Sequence, residues 1–209
     1  MSDVVRCTTP TREPGLVADE PGPLSDASAQ AAAATYRQRW AVRTMAVAPH
    51  DRLLEIGCGR GVAVSLVASR LDTGRLDTGR IVAIDRAATM ARLATERNAR
   101  HIDAGTAEIR CAEFESVDLP ARYFTKIFAV NVNLFWLGAA ARQIDRMRSL
   151  LAPEGRLYVF GERPRSAHPS ANLTATERLL RSHGFATTRS VEARGQVRVL
   201  TCVTARPTR

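Results

Sequence analysis

Only one lysine, four cysteines and four histidines occur among the 209 residues, and each scarcity closes off a class of function. The cysteines, Cys7, Cys58, Cys111 and Cys202, are scattered, with no Cys-x-x-Cys pair and no histidine at metal-ligand spacing. A structural zinc site is excluded on that spacing, and no metal is expected. All four thiols are expected to be reduced, three of them buried as small hydrophobes. No apolar run approaches the roughly 20 residues that span a bilayer, so no membrane partner is expected. The opening Met1-Ser2-Asp3-Val4-Val5-Arg6-Cys7 has no apolar stretch behind it of the kind a secretory signal carries. A cytoplasmic location is the expectation.

The scarcity of lysine also qualifies the charge. Thirty basic residues against 21 acidic ones give a formal +9, and every basic residue except Lys126 is arginine. Usage so one-sided reads as compositional bias. Arginines spread over many helices read as a solvated surface before they read as a phosphate-binding face. Nucleic acid is therefore an alternative partner and not the favoured one. Residues 1–26 hold five acids and two arginines, so the basic excess lies entirely in residues 27–209.

Residues 1–26, rich in Pro, Gly, Thr and acids and without a period, read as a disordered or loosely attached tail. Residues 27–48, Ala-rich and carrying Tyr36, Trp40, Val42 and Met45, read as a helix, capped by Asp26 or Ser28 and stopped before Pro49. From residue 50 onward strands and helices alternate. Apolar strands are predicted at Arg52–Ile56, 80–84, Ala107–Cys111, 126–132 and 156–160. Between the first two, Ala63, Leu66, Val67 and Leu71 share one helical face; later helices put Met90, Leu93 and Ala94, then Ala140, Ile144, Met147 and Leu151, inward. Thr174-Ala-Thr-Glu177 matches a capping box, predicting a helix that starts there and stops at His183-Gly184. Two β-rich runs, 185–191 and 197–204, are linked too closely for a crossover and predict an antiparallel hairpin. The pattern as a whole predicts an α/β, doubly wound three-layer αβα sandwich over residues 50–209. The tandem Leu71-Asp-Thr-Gly-Arg75 and Leu76-Asp-Thr-Gly-Arg80 reads as a lengthened surface loop without function.

The sharpest motif is Leu53-Leu-Glu55-Ile-Gly57-Cys58-Gly59-Arg-Gly61-Val62, directly after a strand and at the head of a helix. Glycines here let the backbone take positive φ and approach a ligand closely. A dinucleotide fingerprint would need its last glycine at Val62 or Val64, and neither fits. The second mark is Asp85, closing the second strand. It lies 24 residues beyond Gly61, or 19 once the duplicated five are subtracted, close to the spacing of a ribose-binding acid.

An acid, one residue, then Gly-x-Gly-x-Gly resembles motif I of the class I, S-adenosylmethionine-dependent methyltransferases. The resemblance covers residues from about 28 to 204. It implies a seven-stranded, mostly parallel sheet ending in an antiparallel strand, and S-adenosyl-L-methionine as cofactor. It also implies that Glu55, Gly57, Cys58, Gly59 and Gly61 cradle the cofactor's methionine end, that Asp85 and its neighbour Arg86 lie at the ribose, and that Glu113 and Phe114 lie at the adenine. Cys111-Ala112-Glu113-Phe114 departs from the family's Gly-Asp-Ala stretch there. The fourth strand ends at Asn131-Val-Asn133-Leu-Phe-Trp136, the family's position beside the sulfonium, and Asn131 and Asn133 share a side if the strand stays extended. Asn131 is assigned to the cofactor; Tyr36, Trp40, Asn133, Trp136 and His168 are the substrate-facing candidates. The Asn/Asp-Pro-Pro-aromatic signature of base-methylating enzymes is absent, which favours a small-molecule acceptor. An RNA or protein methyltransferase and a non-catalytic cofactor-binding module are the alternatives. No general base and no oligomeric state is legible.

Overall fold

The computed structural model describes residues 26–71, 79–132, 140–164, 169–194 and 198–208. Along the chain it forms α1 (Asp26–Met45), β1 (Arg52–Ile56), α2 (Val62–Ala68), β2 (Arg80–Asp85), α3 (Ala88–Asp103), β3 (Ala107–Cys111), β4 (Phe124–Val130), α4 (Ala141–Leu150), β5 (Leu151–Pro164), α5 (Pro169–Ser182), β6 (Phe185–Arg194) and β7 (Arg198–Pro207). The seven strands make one sheet in the order β3-β2-β1-β4-β5-β7-β6. β1 to β5 are parallel, and β7 runs antiparallel to both β5 and β6. The order reverses between β1 and β4. Parallel α/β sheets leave a crevice at such a point, beyond the carboxyl ends of the strands.

Alternation along each strand explains the three layers. Leu54 and Ile56, Val82 and Ile84, Ile127 and Ala129, and Leu157 and Val159 point to the face covered by Ile144, Met147 and Leu150 of α4 and Leu173 and Leu180 of α5. Leu53, Ile81, Ala83, Phe128, Val130, Tyr158 and Phe160 point to the opposite face, under Trp40 to Met45 of α1, Val64 and Val67 of α2 and Ala94 of α3. Strands covered on both faces read as continuous apolar runs, which is what these sequences show.

Several local expectations are corrected. α5 begins at Pro169, a residue suited to a first helical turn, so Thr174 lies inside the helix and caps nothing. Glu177, the other end of the supposed capping box, is buried and pairs with Arg189 of β6 at 2.5 Å and with Arg181 at 3.7 Å. The tertiary demand of Arg189 outweighs the local pattern. β5 starts at Leu151, not at residue 156, and absorbs Pro153-Glu154-Gly155 where its pairing with β4 slips between Phe124 and Lys126. β4 ends at Val130 because Asn131 turns to a φ of 59°. α3 runs to Asp103, and its inward face is Ala91, Ala94, Asn98 and His101; Met90 and Leu93 are only half-buried. Of the thiols, Cys58 and Cys202 are buried and Cys111 is exposed; Cys7 lies outside the described residues, as do residues 1–25 and most of the tandem repeat.

At the amino-terminal ends of the parallel strands, away from the crevice, Asp51 holds β1, β4 and the segment after α1 together. Its carboxylate accepts from the Ala48 amide at 2.7 Å and the Thr125 hydroxyl at 2.7 Å, and pairs with Lys126, the single lysine of the chain. Burial works to raise the Asp51 carboxyl, but Lys126 and the hydrogen bonds outweigh it and hold the group below its ordinary range.

Candidate cofactor site

The glycine turn is held from two sides. The amides of Gly57 and Cys58 both donate to the Ile84 carbonyl, at 2.9 and 3.0 Å, which ties the turn to the end of β2. Behind it stands Asn98 of α3, wholly buried, whose side-chain amide donates to the Gly61 carbonyl at 3.1 Å and the Ala94 carbonyl at 2.8 Å; its oxygen accepts from the Ser65 hydroxyl at 2.7 Å. All three glycines are left-handed, with φ of 74°, 53° and 69°. A Cβ on Gly61 would sit 2.5 Å from the Asn98 side chain and 3.0 Å from the Ala94 backbone, so α3 can pack this closely only on glycine. A Cβ on Gly59 would meet open space.

In front of the turn, Asp85 organises the backbone. One carboxylate oxygen accepts from the Gly59 amide at 2.8 Å and the other from the Ala87 amide at 3.0 Å. Each oxygen has a further lone pair, so the group can still accept from two hydroxyls. A cleft of about 450 Å³ opens beside it, within the roughly 300–1,000 Å³ of small-ligand sites. Gly57, Asp85, Arg86, Glu113 and Phe114 line it, together with Ile56, Ile84, Ala112, Glu115 and Val132. The Ala112 amide donates to the Asp85 carbonyl at 3.0 Å, which sets the chain after β3 against the end of β2. Phe114 is buried under the Arg146 guanidinium, 5.5 Å from the ring centre.

Glu55 lies one residue before the end of β1 and is 2% exposed. Its Oε2 is buried without a hydrogen-bond partner. Burial pushes the Glu55 carboxyl well above the usual range, and the Asp85 charge adds to this. Burial also raises the Cys58 thiol, with Glu55 and Asp85 contributing, so Cys58 is a packed, unreactive wall of the turn.

The structure thus brings together, around one crevice, the glycine turn, Asp85, Arg86, Glu113 and Phe114. Among the described residues, Asn131, Trp40 and Tyr36 do not line it. Asn131, with its left-handed φ, donates its backbone amide to the Phe160 carbonyl at 2.8 Å and accepts the Glu162 amide through Oδ1 at 3.2 Å, which carries the β4–β5 pairing past the end of β4. Trp40 is buried in the core, edge-on to Phe160 at 5.5 Å. Tyr36 is exposed and donates to Glu192 at 2.8 Å. Asn133, Trp136 and His168 lie outside the described residues. Sequence reasoning misses Glu115 and the apolar lining, and it misses Asn98. The signal for Asn98 is a polar residue on the buried stripe of α3, four residues after Ala94.

A crevice at the reversal of a doubly wound sheet, floored by a glycine turn and an acid closing the second strand, defines a nucleoside-cofactor domain. Its particular kind follows from the match of residues 53–155 to the family described as a methyltransferase domain. The fold agrees with that of the class I, S-adenosylmethionine-dependent methyltransferases, whose cofactor is S-adenosyl-L-methionine. No curated protein matches it in sequence. Among solved structures it is similar to an S-adenosylmethionine-dependent methyltransferase from Aquifex aeolicus (15% identity, 80% of this chain and 88% of that one, TM-score 0.62). It is also similar to the [4+2]-cyclase SpnF (16%, 91% and 86%, TM-score 0.67). A third is geranyl diphosphate C-methyltransferase from Streptomyces coelicolor A3(2), solved with Mg2+, geranyl diphosphate and S-adenosyl-L-homocysteine (12%, 83% and 77%, TM-score 0.62). At these identities the likeness is one of fold.

The residues present fit the cofactor. It carries an ammonium, a sulfonium, a ribose diol and an adenine. The crevice offers a carboxylate with free lone pairs at Asp85 and apolar lining from Ile56, Ile84 and Phe114, and directly beside its Ile56–Gly57 wall stands Glu55, with a buried, unpartnered carboxyl oxygen.

Proposed function

We propose that this enzyme transfers the methyl group of S-adenosylmethionine to a small-molecule acceptor. When bound, the cofactor supplies a methyl group already activated by its sulfonium, so the protein's work is alignment and exclusion of water. In this reading Asp85 holds the ribose hydroxyls, Glu55 faces the methionine ammonium, and Glu113 and Phe114 hold the adenine, with Arg86 at the rim.

The observation that carries the acceptor class is the tie between α1 and the end of the sheet on the β5 side. Arg37 pairs with Glu162 at 2.5 Å, Arg43 with Glu192 at 2.7 Å, and the Tyr36 hydroxyl donates to the same Glu192. α1 is thereby fastened over β5 and the β6–β7 hairpin, which favours an enclosed acceptor over a nucleic-acid strand laid across the crevice. The absence of the Pro-Pro signature after Asn131 points the same way. The test is a panel of small nucleophiles, RNA and peptides with methyl-labelled cofactor, read as label transferred and S-adenosylhomocysteine formed. Transfer to small molecules alone is the expected result; transfer confined to RNA or protein overturns the acceptor class.

A further inference from the structure

A buried carboxyl oxygen with no partner is costly when charged, because neither water nor a hydrogen-bond donor replaces its hydration. Glu55 is in that position, and the groups around it offer no relief. Its strand neighbours in register are Ala83 of β2 and Phe128 of β4. α2 has no ionisable residue between Val62 and Ala68. On α3, Asn98 is neutral, and the nearby charges Arg92 and Glu96 are exposed and paired with each other. Arg37 of α1 and Arg198 of β7 are turned to Glu162. Arg52, the base nearest in sequence, donates to the Tyr123 carbonyl at 2.9 Å, and Arg60 and Arg86 are exposed. The charge that does act on Glu55 is the wrong sign: Asp85, at the end of the adjacent strand.

We propose that the free protein carries a proton on Glu55 and that S-adenosylmethionine expels it, the methionine ammonium taking the proton's place at Oε2. This rests on the reading above that Glu55 faces the methionine end of the cofactor. The step balances as one carboxylic acid and one ammonium giving a carboxylate–ammonium pair and one proton to solvent. The buried charge becomes tolerable because its counter-charge arrives with the ligand. Two consequences follow. Cofactor affinity rises with pH, by up to about tenfold per unit while Glu55 is protonated in the free protein. S-adenosylhomocysteine, which keeps the ammonium and lacks the sulfonium, expels the same proton.

The experiment is calorimetric titration of both ligands into the full chain between pH 5.5 and 7, below the ~7.7–8.0 at which an α-amino group deprotonates. Each titration is run in two buffers of different ionisation enthalpy, on wild type and Glu55→Gln. The expected result is a wild-type heat that differs between buffers by up to one proton released, for both ligands, and affinity that rises with pH. In Glu55→Gln the buffer difference and the pH slope vanish. Where Glu55→Gln does not fold, the wild-type infrared difference spectrum decides, through loss of a protonated-carboxyl band on adding S-adenosylhomocysteine. Binding with equal heats in both buffers and a flat pH profile overturns the proton exchange while leaving the cofactor site standing. Release seen with S-adenosylmethionine alone overturns it too, since the sulfonium would then be the cause. Absence of binding to folded wild type overturns both the exchange and the reading beneath it.

Discussion

Three glycine-to-alanine substitutions separate what the turn does for folding from what it does for the ligand. Gly105, Gly59 and Gly61 all have left-handed φ, of 75°, 53° and 69°. An alanine in that region costs about 1–2 kcal/mol. At Gly105, after α3, the new methyl meets open space, so Gly105→Ala loses that amount and nothing more. At Gly59 the methyl also meets open space, but the residue is part of the turn and its amide bonds Asp85. Gly59→Ala therefore matches Gly105→Ala in stability while weakening S-adenosylmethionine binding by about tenfold, or about 1.4 kcal/mol. At Gly61 the methyl lies 2.5 Å from Asn98 and 2.9 Å from the Ala94 Cβ, adding an overpacking cost of about 1–3 kcal/mol and a total of about 2–5. With a urea slope of about 2 kcal/mol/M, the unfolding midpoint should fall by about 0.5–1 M for Gly105→Ala and about 1–2.5 M for Gly61→Ala. Equal midpoints for Gly61→Ala and Gly105→Ala would refute the packing of α3 against the turn. Unchanged affinity in Gly59→Ala would refute the placement of the cofactor.

Asn98→Leu leaves the Gly61 carbonyl and the Ser65 hydroxyl without their partner; a loss of about 1–3 kcal/mol in urea unfolding is expected, with weaker cofactor binding in calorimetry. Lys126→Met strands a buried Asp51 carboxylate, and breaking such a pair costs about 3–5 kcal/mol by chemical denaturation near neutral pH. Because the folded Asp51 lies below its ordinary value of 3.8, its contribution is full above that pH and is lost as pH falls through the lower, folded value. The destabilisation by Lys126→Met should therefore shrink in strong acid. Peptide mapping after brief alkylation should find Cys111 modified and Cys58 and Cys202 spared, since the first is exposed and burial pushes Cys202 up to about 12.

The parts of this molecule legible from sequence are those whose physics is local. A strand, three alternating glycines and a helix start occupy ten consecutive residues, so the sequence alone places Gly57 to Gly61 on a turn. Asp85 is readable as an acid closing an apolar strand after that turn; its hold on the Gly59 and Ala87 amides is what the structure adds. What escapes depends on packing between distant segments. Asn98 acts through contacts with Gly61 and Ser65, more than thirty residues away, and on a helical wheel it is only one polar residue among alanines. The start of α5 is misleading because Thr174 and Glu177 fit the spacing of a capping box, whereas Glu177 is drawn to Arg189 across a layer boundary. Trp40 and Asn131 show the same limit: an aromatic on a covering helix and an amide at a strand end suit a pocket and a scaffold equally well. Here Trp40 packs on Phe160 and Asn131 extends the β4–β5 pairing.

On the proposed function, Asp85 and the glycine turn form the site for S-adenosylmethionine. The most direct test is calorimetric titration of the cofactor into wild type and Asp85→Ala, with circular dichroism to show that both are folded. Binding to wild type is expected, with a loss of about 1–3 kcal/mol, up to about a hundredfold in affinity, in the variant, which lacks the carboxylate that orders Gly59 and would receive the ribose. Equal affinity in the two proteins, or no binding to folded wild type, would contradict it.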